Sequence, residues 1–391
     1  MEGSLLPSTS WTDFYDLTMT QVFLNFPDAE AGFVFINRDN TNFPIGFGKK
    51  LRRQFDLAAY AEAPAGFTGF LTKTVGRFVK PSTIQWYNAF RFDPNQVIVL
   101  DNGQDIYFQG PLVTTSLWEI PGMFLPAWLY FQETGQVPDK DSVRRICEKA
   151  RRMQDAGVRW VDFGTRRSFS RHVHETVVEI MMEYRLNDQN AGFISTSNME
   201  LAQRHDLTPS GTMGHKLIMV NEGLFGIQSA NEMMMKQWQD EFQGNLGTVL
   251  PDTLTTRAFL RDFNSLYSRL FDSIRHDSGD PYEFTDLVIA HYRKLKIDPA
   301  SKTIIFSDGL NVDTVLKLAA YCKGKIDCSF GIGTNLTNDV GAKPLNIVVK
   351  LDKIRKDPDH PWVYVAKLSD TPGKATGRPD AVAMAQKILE V

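Results

Sequence analysis

Arg166 and Arg275 can each grip a planar anion through two parallel N–H donors, and Asp277 and Asp308 can accept from hydroxyls or hold a magnesium ion. The run Gly331-Ile332-Gly333-Thr334 can present backbone N–H groups to a phosphate where a helix begins. Donors for anions and acceptors for hydroxyls together suit a phosphorylated sugar. Each cluster alone also has a plainer reading. Asp277-Ser278-Gly279-Asp280-Pro281 is a turn followed by a helix start. The Gly331 run is an incomplete dinucleotide fingerprint without its final glycine, which by itself reads as a tight turn. Their order along the chain decides between these readings.

From about residue 158 the chain repeats one theme: a short apolar run, a polar or glycine-rich cluster, then a helical pattern. This predicts successive βα units. Candidate strand ends are Phe163-Gly164-Thr165-Arg166, Thr196-Ser197-Asn198, Leu250-Pro251-Asp252-Thr253, Arg275-His276-Asp277-Ser278-Gly279, Ser307-Asp308-Gly309 and Gly331-Ile332-Gly333-Thr334-Asn335. Parallel α/β architectures gather their strand ends on one face, so these clusters predict one shared pocket. Leu345-Asn346-Ile347-Val348-Val349 is a candidate for one further strand of an α/β barrel that is irregular or incomplete.

Before this region the pattern is mixed. Gln96 to Leu100 and Asp105 to Phe108 flank the turn Asp101-Asn102-Gly103 and predict a hairpin. Gly135-Gln136-Val137-Pro138-Asp139 breaks the pattern, and a helix follows with Val143, Ile146, Ala150 and Met153 on one face. The expected division is an N-terminal mixed α/β domain over residues 1–135 and an irregular α/β barrel carrying the active-site loops over 136–391. The C-terminal stretch Ala381 to Leu389 reads as a surface helix, and the C-terminal segment can pack on the first domain.

The formal net charge of the 391 residues is -3, with both signs interspersed. No global basic field exists for nucleic acid or an anionic membrane, so any phosphate site must be built locally. Cys147, Cys322 and Cys328 fit no metal-ligand spacing and suggest reduced thiols. No segment has the features of a signal peptide or a membrane span, and cytoplasmic residence is the expectation.

The ordered string Phe163-Gly164-Thr165-Arg166-Arg167, Gly192 to Asn198, Gly211-Thr212-Met213-Gly214-His215, Arg275 to Pro281, Phe306-Ser307-Asp308 and Ser329 to Thr334 resembles bacterial nicotinate phosphoribosyltransferases. The resemblance extends to Lys343 to Val348 and Lys367 to Lys374, and at the other end to Trp11 to Met19 and Phe90 to Pro94. It implies an N-terminal mixed α/β domain and an irregular α/β barrel, in a homodimer with shared active sites. The reaction implied joins nicotinate to the phosphoribosyl group of PRPP, forming nicotinate mononucleotide and pyrophosphate for NAD salvage, with Mg2+ and with ATP as co-substrate.

On that resemblance, Phe163 and a Tyr15 from the neighbouring subunit sandwich the pyridine ring. Arg166 and Arg275 hold the carboxylate and the phosphate oxygens in an order left open. Ser197 stands where relatives that use nicotinamide tend to carry an aspartate, which favours the acid substrate. Asp277 and Asp308 meet ribose hydroxyls or the magnesium on pyrophosphate. Gly331, Gly333 and Thr334 bind the 5-phosphate, with Lys367, Ser369 and Lys374 adding phosphate contacts. No protein-caged metal is expected.

A lone histidine is more often structural, but the family motif makes His215 the acceptor of ATP's terminal phosphate, as a phosphohistidine. Lys216 replaces an acidic residue of the family and is expected to attract phosphate and lower the ring's proton affinity. His172 and His174 point to different helix faces and make a poor chelate. The alternatives are a phosphoribosyltransferase for nicotinamide or another pyridine base, and a non-catalytic nucleotide-binding sensor.

Overall fold

The computed structural model describes residues 3–185 and 192–391. Its strands, numbered along the chain, are β1 (Glu30–Asn37), β2 (Val97–Val99), β3 (Ile106–Pro111), β4 (Arg159–Asp162), β5 (Gly192–Thr196), β6 (Thr248–Val249), β7 (Ser273–His276), β8 (Thr303–Phe306), β9 (Asp327–Ile332), β10 (Ile347–Arg355) and β11 (Val363–Tyr364). They form two sheets.

The larger sheet is parallel, in the order β5-β4-β9-β8-β7-β6. All six expected strand ends are the carboxyl ends of these six strands. Among the described residues no pairing joins β5 to β6, so the sheet is a barrel left open on one side. Its strands are short and apolar because both faces are covered. Trp160, Phe193, Ile274, Ile304 and Phe330 are buried, and Phe306 stacks on Phe330 with centroids 5.7 Å apart. Helix starts follow the strand ends by capping. Asn198 accepts from the Leu201 N–H, Asn311 from Thr314, and Asp280 from Tyr282 and Glu283 ahead of Pro281. In the helix Ser142–Asp155, Ile146, Ala150 and Met153 turn inward as expected, whereas Val143 is exposed.

The second sheet is antiparallel, β11-β10-β1-β3-β2. The expected hairpin is β2 and β3, with Val97 opposite Phe108 and Gly103 in the left-handed region at φ 66°. Trp118 packs among Phe55, Phe92 and Phe108 on this side. The Leu345–Val349 stretch does not extend the parallel sheet. It enters β10, which pairs with β1 from Ile347 opposite Asn37 to Arg355 opposite Glu30. An apolar run has no marker of parallel or antiparallel pairing, and β1 offers it a free edge.

The helix His215–Phe225 joins the two halves. Its residues from His215 to Glu222 are all buried, as expected of a helix enclosed on every side, and it packs on β10. Gly223 permits that approach, since a Cβ there would lie 2.1 Å from Ile354 Cγ2. The helix Pro379–Leu389 lies on the surface beside Ile227–Ser229, burying Ala385 and exposing Met384. No helix of the described residues is long and apolar enough to cross a membrane.

Candidate active site

At the end of β4, Asp162 is fully buried and accepts from Thr196 Oγ1 at 2.7 Å and the Gly164 N–H at 2.8 Å. His174 Nε2 lies 2.6 Å from the same carboxylate, so this histidine braces the turn. The turn delivers Phe163, Arg166 and Arg167 to a cavity of about 820 Å³. Next to it, after β5, Ser197 Oγ donates to Asp13 Oδ1 at 2.6 Å, and both side chains line the cavity. The Ser197 hydroxyl is therefore committed to a carboxylate supplied by the N-terminal segment.

His215 is the first residue of its helix. Its Nε2 lies 3.0 Å from Asp252 Oδ1 and 3.4 Å from Asp277 Oδ2. Asp252 also accepts from Ser278 Oγ at 2.7 Å and lies 3.1 Å from Lys367 Nζ. Burial, reinforced by the Lys367 charge, pushes the imidazole down to about 4, so it is neutral at physiological pH. With Nε2–H donated to Asp252, the ring's lone pair is on Nδ1. Asp277 accepts from Ser307 Oγ at 2.7 Å, and although burial opposes ionisation, Arg275 and His215 hold its carboxyl below the usual range. Arg275 donates to the Met213 carbonyl at 3.1 Å, which ties β7 to the histidine loop.

The opposite wall comes from the antiparallel half. Arg38 follows β1, Lys343 precedes β10, and Lys350 lies within β10. Burial lowers the Lys350 ammonium to about 7. Tyr15 and Glu119 complete that wall. Beyond β11, Lys367 and Ser369 reach the cavity, Ser369 with a left-handed backbone at φ 65°. Lys374 also lines it, with Nζ 3.9 Å from Asp308.

Tyr15, Phe163, Arg166, Ser197, His215, Arg275, Asp277, Asp308, Gly333, Thr334, Lys367, Ser369 and Lys374 therefore line one cavity. Two expectations change. Gly331 does not line it: a Cβ at that position would lie 2.3 Å from the Phe163 ring, so this glycine makes room for Phe163. The chain's own Tyr15 lines the same cavity as its Phe163. Lys216 does not act on the phosphate side of His215. It is buried, with Nζ 2.6 Å from Asp16 and 3.2 Å from Glu119. Successive helical residues point about 100° apart, so the neighbouring side chains part company.

Asp13, Arg38, Glu119, Arg167, Lys343 and Lys350 were not singled out as site residues from the sequence. Arg167, Lys343 and Asp13 stood inside stretches already quoted for the resemblance, and Asp252 in a recognised strand end, but without a role. Arg38, Glu119 and Lys350 carried no local signal: nothing in the sequence indicates which face of β10 meets a distant cavity, and Arg38 and Glu119 lie in connections just past β1 and the helix Leu112–Ser116.

The ligand atoms of His215, Asp252 and Asp277 lie within 4.8 Å of one another. An imidazole donor and the Lys367 ammonium suit that trio to hydrogen bonding rather than to magnesium. Magnesium prefers oxygen from one or two carboxylates together with substrate phosphates, and Asp277 and Asp308 beside the cationic wall fit that demand.

Comparison with known proteins matches this geometry to one group. Residues 158–391 match the profile described as the nicotinate phosphoribosyltransferase (NAPRTase) family, and residues 11–125 its N-terminal domain. The chain is 38% identical over 390 residues to a nicotinate phosphoribosyltransferase of Chromohalobacter salexigens, covering 98% of each. It is 39% identical over 383 residues to one of Desulforapulum autotrophicum, covering 97% of each. The crystal structure of nicotinate phosphoribosyltransferase from Porphyromonas gingivalis superposes with a TM-score of 0.94 at 37% identity, covering 99% of this chain and 100% of that one. Fold, pocket and full-length likeness agree, and the chain belongs to the nicotinate phosphoribosyltransferase family.

Proposed function

We propose that the chain transfers the phosphoribosyl group of PRPP to nicotinate, releasing pyrophosphate, and couples this to ATP through His215. The observation that carries the reading is the meeting, in one cavity, of an aromatic slot, a cationic wall and a neutral histidine braced by Asp252.

The pyridine ring enters between Phe163 and Tyr15, where offset stacking favours an electron-poor ring. Arg166 receives the carboxylate, since it lines the cavity together with Phe163 and Tyr15. Thr334 and Gly333 take the 5-phosphate at the start of the short helix Thr334–Thr337. Arg38, Lys350, Lys367 and Lys374 take the pyrophosphate. The ring nitrogen already has its lone pair, so no general base is needed. It attacks the anomeric carbon as the C–O bond to pyrophosphate breaks, and the residues contribute by positioning and by stabilising charge as it develops. Asp277 and Asp308 hold the ribose hydroxyls or the magnesium of the leaving group, which supplies charge neutralisation there when bound.

For the coupling, Asp252 fixes the imidazole so that Nδ1 attacks the terminal phosphorus of ATP. The bond to the ADP oxygen breaks, and Asp252 and Asp277 offset the positive charge gained by the ring. The family likeness carries the expectation of a homodimer, which sedimentation reads directly. The free thiols Cys147, Cys322 and Cys328 support cytoplasmic residence, which fractionation tests. The functional reading is tested by incubating the protein with ATP labelled in its terminal phosphate. Label is expected on His215 and is expected to leave as phosphate faster when nicotinate and PRPP are added. Absence of label in folded protein removes the coupling.

A further inference from the structure

Lys216 directly follows the proposed phosphate acceptor yet faces another region. Its ammonium has three partners: Asp16 Oδ1 at 2.6 Å, the Ser116 carbonyl at 2.8 Å and Glu119 Oε2 at 3.2 Å. It also lies 5.5 Å from the centroid of the Tyr15 ring, within range of a cation–π contact. Thr12 Oγ1 donates to the other Asp16 oxygen at 2.5 Å, so this acid is held from two sides. Lys216 and Asp16 stand behind the cavity wall, while Tyr15 and Glu119 form part of its surface.

The charges in this corner explain what the lysine supplies. Asp13, Asp16 and Glu119 are all buried near the slot for the ring. Lys216 is the leading cation acting on both Asp16 and Glu119. Without it, Glu119 would face the cavity with no ion-pair partner, offset only by the longer-range charges of Lys350 and Arg166, beside the place where an anionic base must enter. An unpaired acid repels a carboxylate far more than a neutral amide. Tyr15 would also lose the contact behind its ring. Its hydroxyl is buried and has no hydrogen-bond partner, so that oxygen does not anchor it.

We propose that Lys216 is a positioning residue of the pyridine subsite: by neutralising Asp16 and Glu119 and backing Tyr15, it sets the preference of the pocket for an anionic pyridine. The inference rests on the functional reading above. It separates two neighbours in sequence, His215 serving phosphate and Lys216 serving the base.

The test is equilibrium binding of nicotinate, nicotinamide and PRPP to the wild-type chain, Lys216→Gln and Lys216→Arg. In Lys216→Gln, nicotinate is expected to bind about tenfold more weakly while nicotinamide and PRPP change by less than about twofold. Lys216→Arg is expected to recover most of the loss. If Lys216→Gln fails to fold, pairing it with Asp16→Asn removes one unpaired acid, leaves Glu119 without its ion-pair partner, and should give the same selectivity change. Equal weakening of nicotinate and nicotinamide, or an unchanged nicotinate affinity, overturns the proposal. Wild-type protein that binds PRPP but neither base contradicts the functional reading itself, and this inference with it.

Discussion

The two walls of the cavity are built differently and carry different charges. The wall from the parallel sheet presents its groups at strand ends. Phe163 and Arg166 follow β4, Ser197 follows β5, Asp277 follows β7 and Asp308 follows β8, while Asp252 after β6 stands buried behind His215. It mixes carboxylates with basic groups and pairs them closely, as in Asp252 between His215, Ser278 and Lys367. The wall from the antiparallel half is chiefly cationic, with Arg38, Lys343 and Lys350, and Lys350 has only long-range acidic partners. The parallel wall therefore orients groups by fixed hydrogen bonds. In the antiparallel wall Lys343 pairs with Asp39 at 3.1 Å, whereas Lys350 holds positive charge in reserve for a ligand that brings its own negative charge.

Breaking the parallel wall should have the largest effects. His215→Ala removes the proposed nucleophile and is expected to reduce phosphate labelling from ATP by about a thousandfold or more, while some ATP-independent synthesis persists. A label of undiminished intensity would assign the acceptor elsewhere. Arg166→Met removes the two-pronged partner proposed for the carboxylate. The kcat/KM for nicotinate should fall about a hundredfold, with a smaller effect on a neutral pyridine, as steady-state kinetics with both bases will show.

The antiparallel wall should respond more mildly and with a pH signature. With its ammonium lowered by burial to about 7, Lys350 is increasingly neutral above that pH in the free protein. A polyanion needs the charged form, so above pH 7 binding must draw in a proton, and affinity for PRPP should decline as pH rises from there. The sign for folding is opposite. The depressed ammonium makes stability rise through the window between the folded value and the ordinary lysine value, and this contribution is lost as pH falls through about 7. Lys350→Met should weaken PRPP about tenfold at pH 7 and flatten the pH profile, which calorimetric titration at several pH values measures. The smallest effect tests how the walls meet the ring. Gly331→Ala places a Cβ where the Phe163 ring now lies, and nicotinate affinity is expected to fall only a fewfold if the ring swings aside. Unchanged affinity would separate Phe163 from the base.

The same contrast explains what could be read from the chain alone. In a βα unit the polar cluster directly follows the apolar strand, so Arg166, Asp277 and Asp308 stood next to the element that positions them. The order of those clusters also carried the family resemblance. Lys350 sits among alternating residues of β10, and Arg38 just past β1, where a charged residue usually faces solvent. Only the pairing of β10 with β1, two elements far apart in sequence, brings both to the cavity. Lys216 was misplaced for a related reason. Proximity to His215 along the chain suggested a shared task, whereas the turn of the helix sends the two side chains to different subsites. Gly331 likewise belonged to a phosphate-like motif, but the Phe163 ring fills the space beside it.

The most direct test of the account is to incubate the purified chain with PRPP, Mg2+, ATP and ring-labelled nicotinate, and to follow labelled mononucleotide and pyrophosphate together. Equal amounts of both are expected, with a slower rate when ATP is left out and little product when nicotinamide replaces nicotinate. Folded protein that binds PRPP yet yields no mononucleotide, or that prefers nicotinamide, would contradict it.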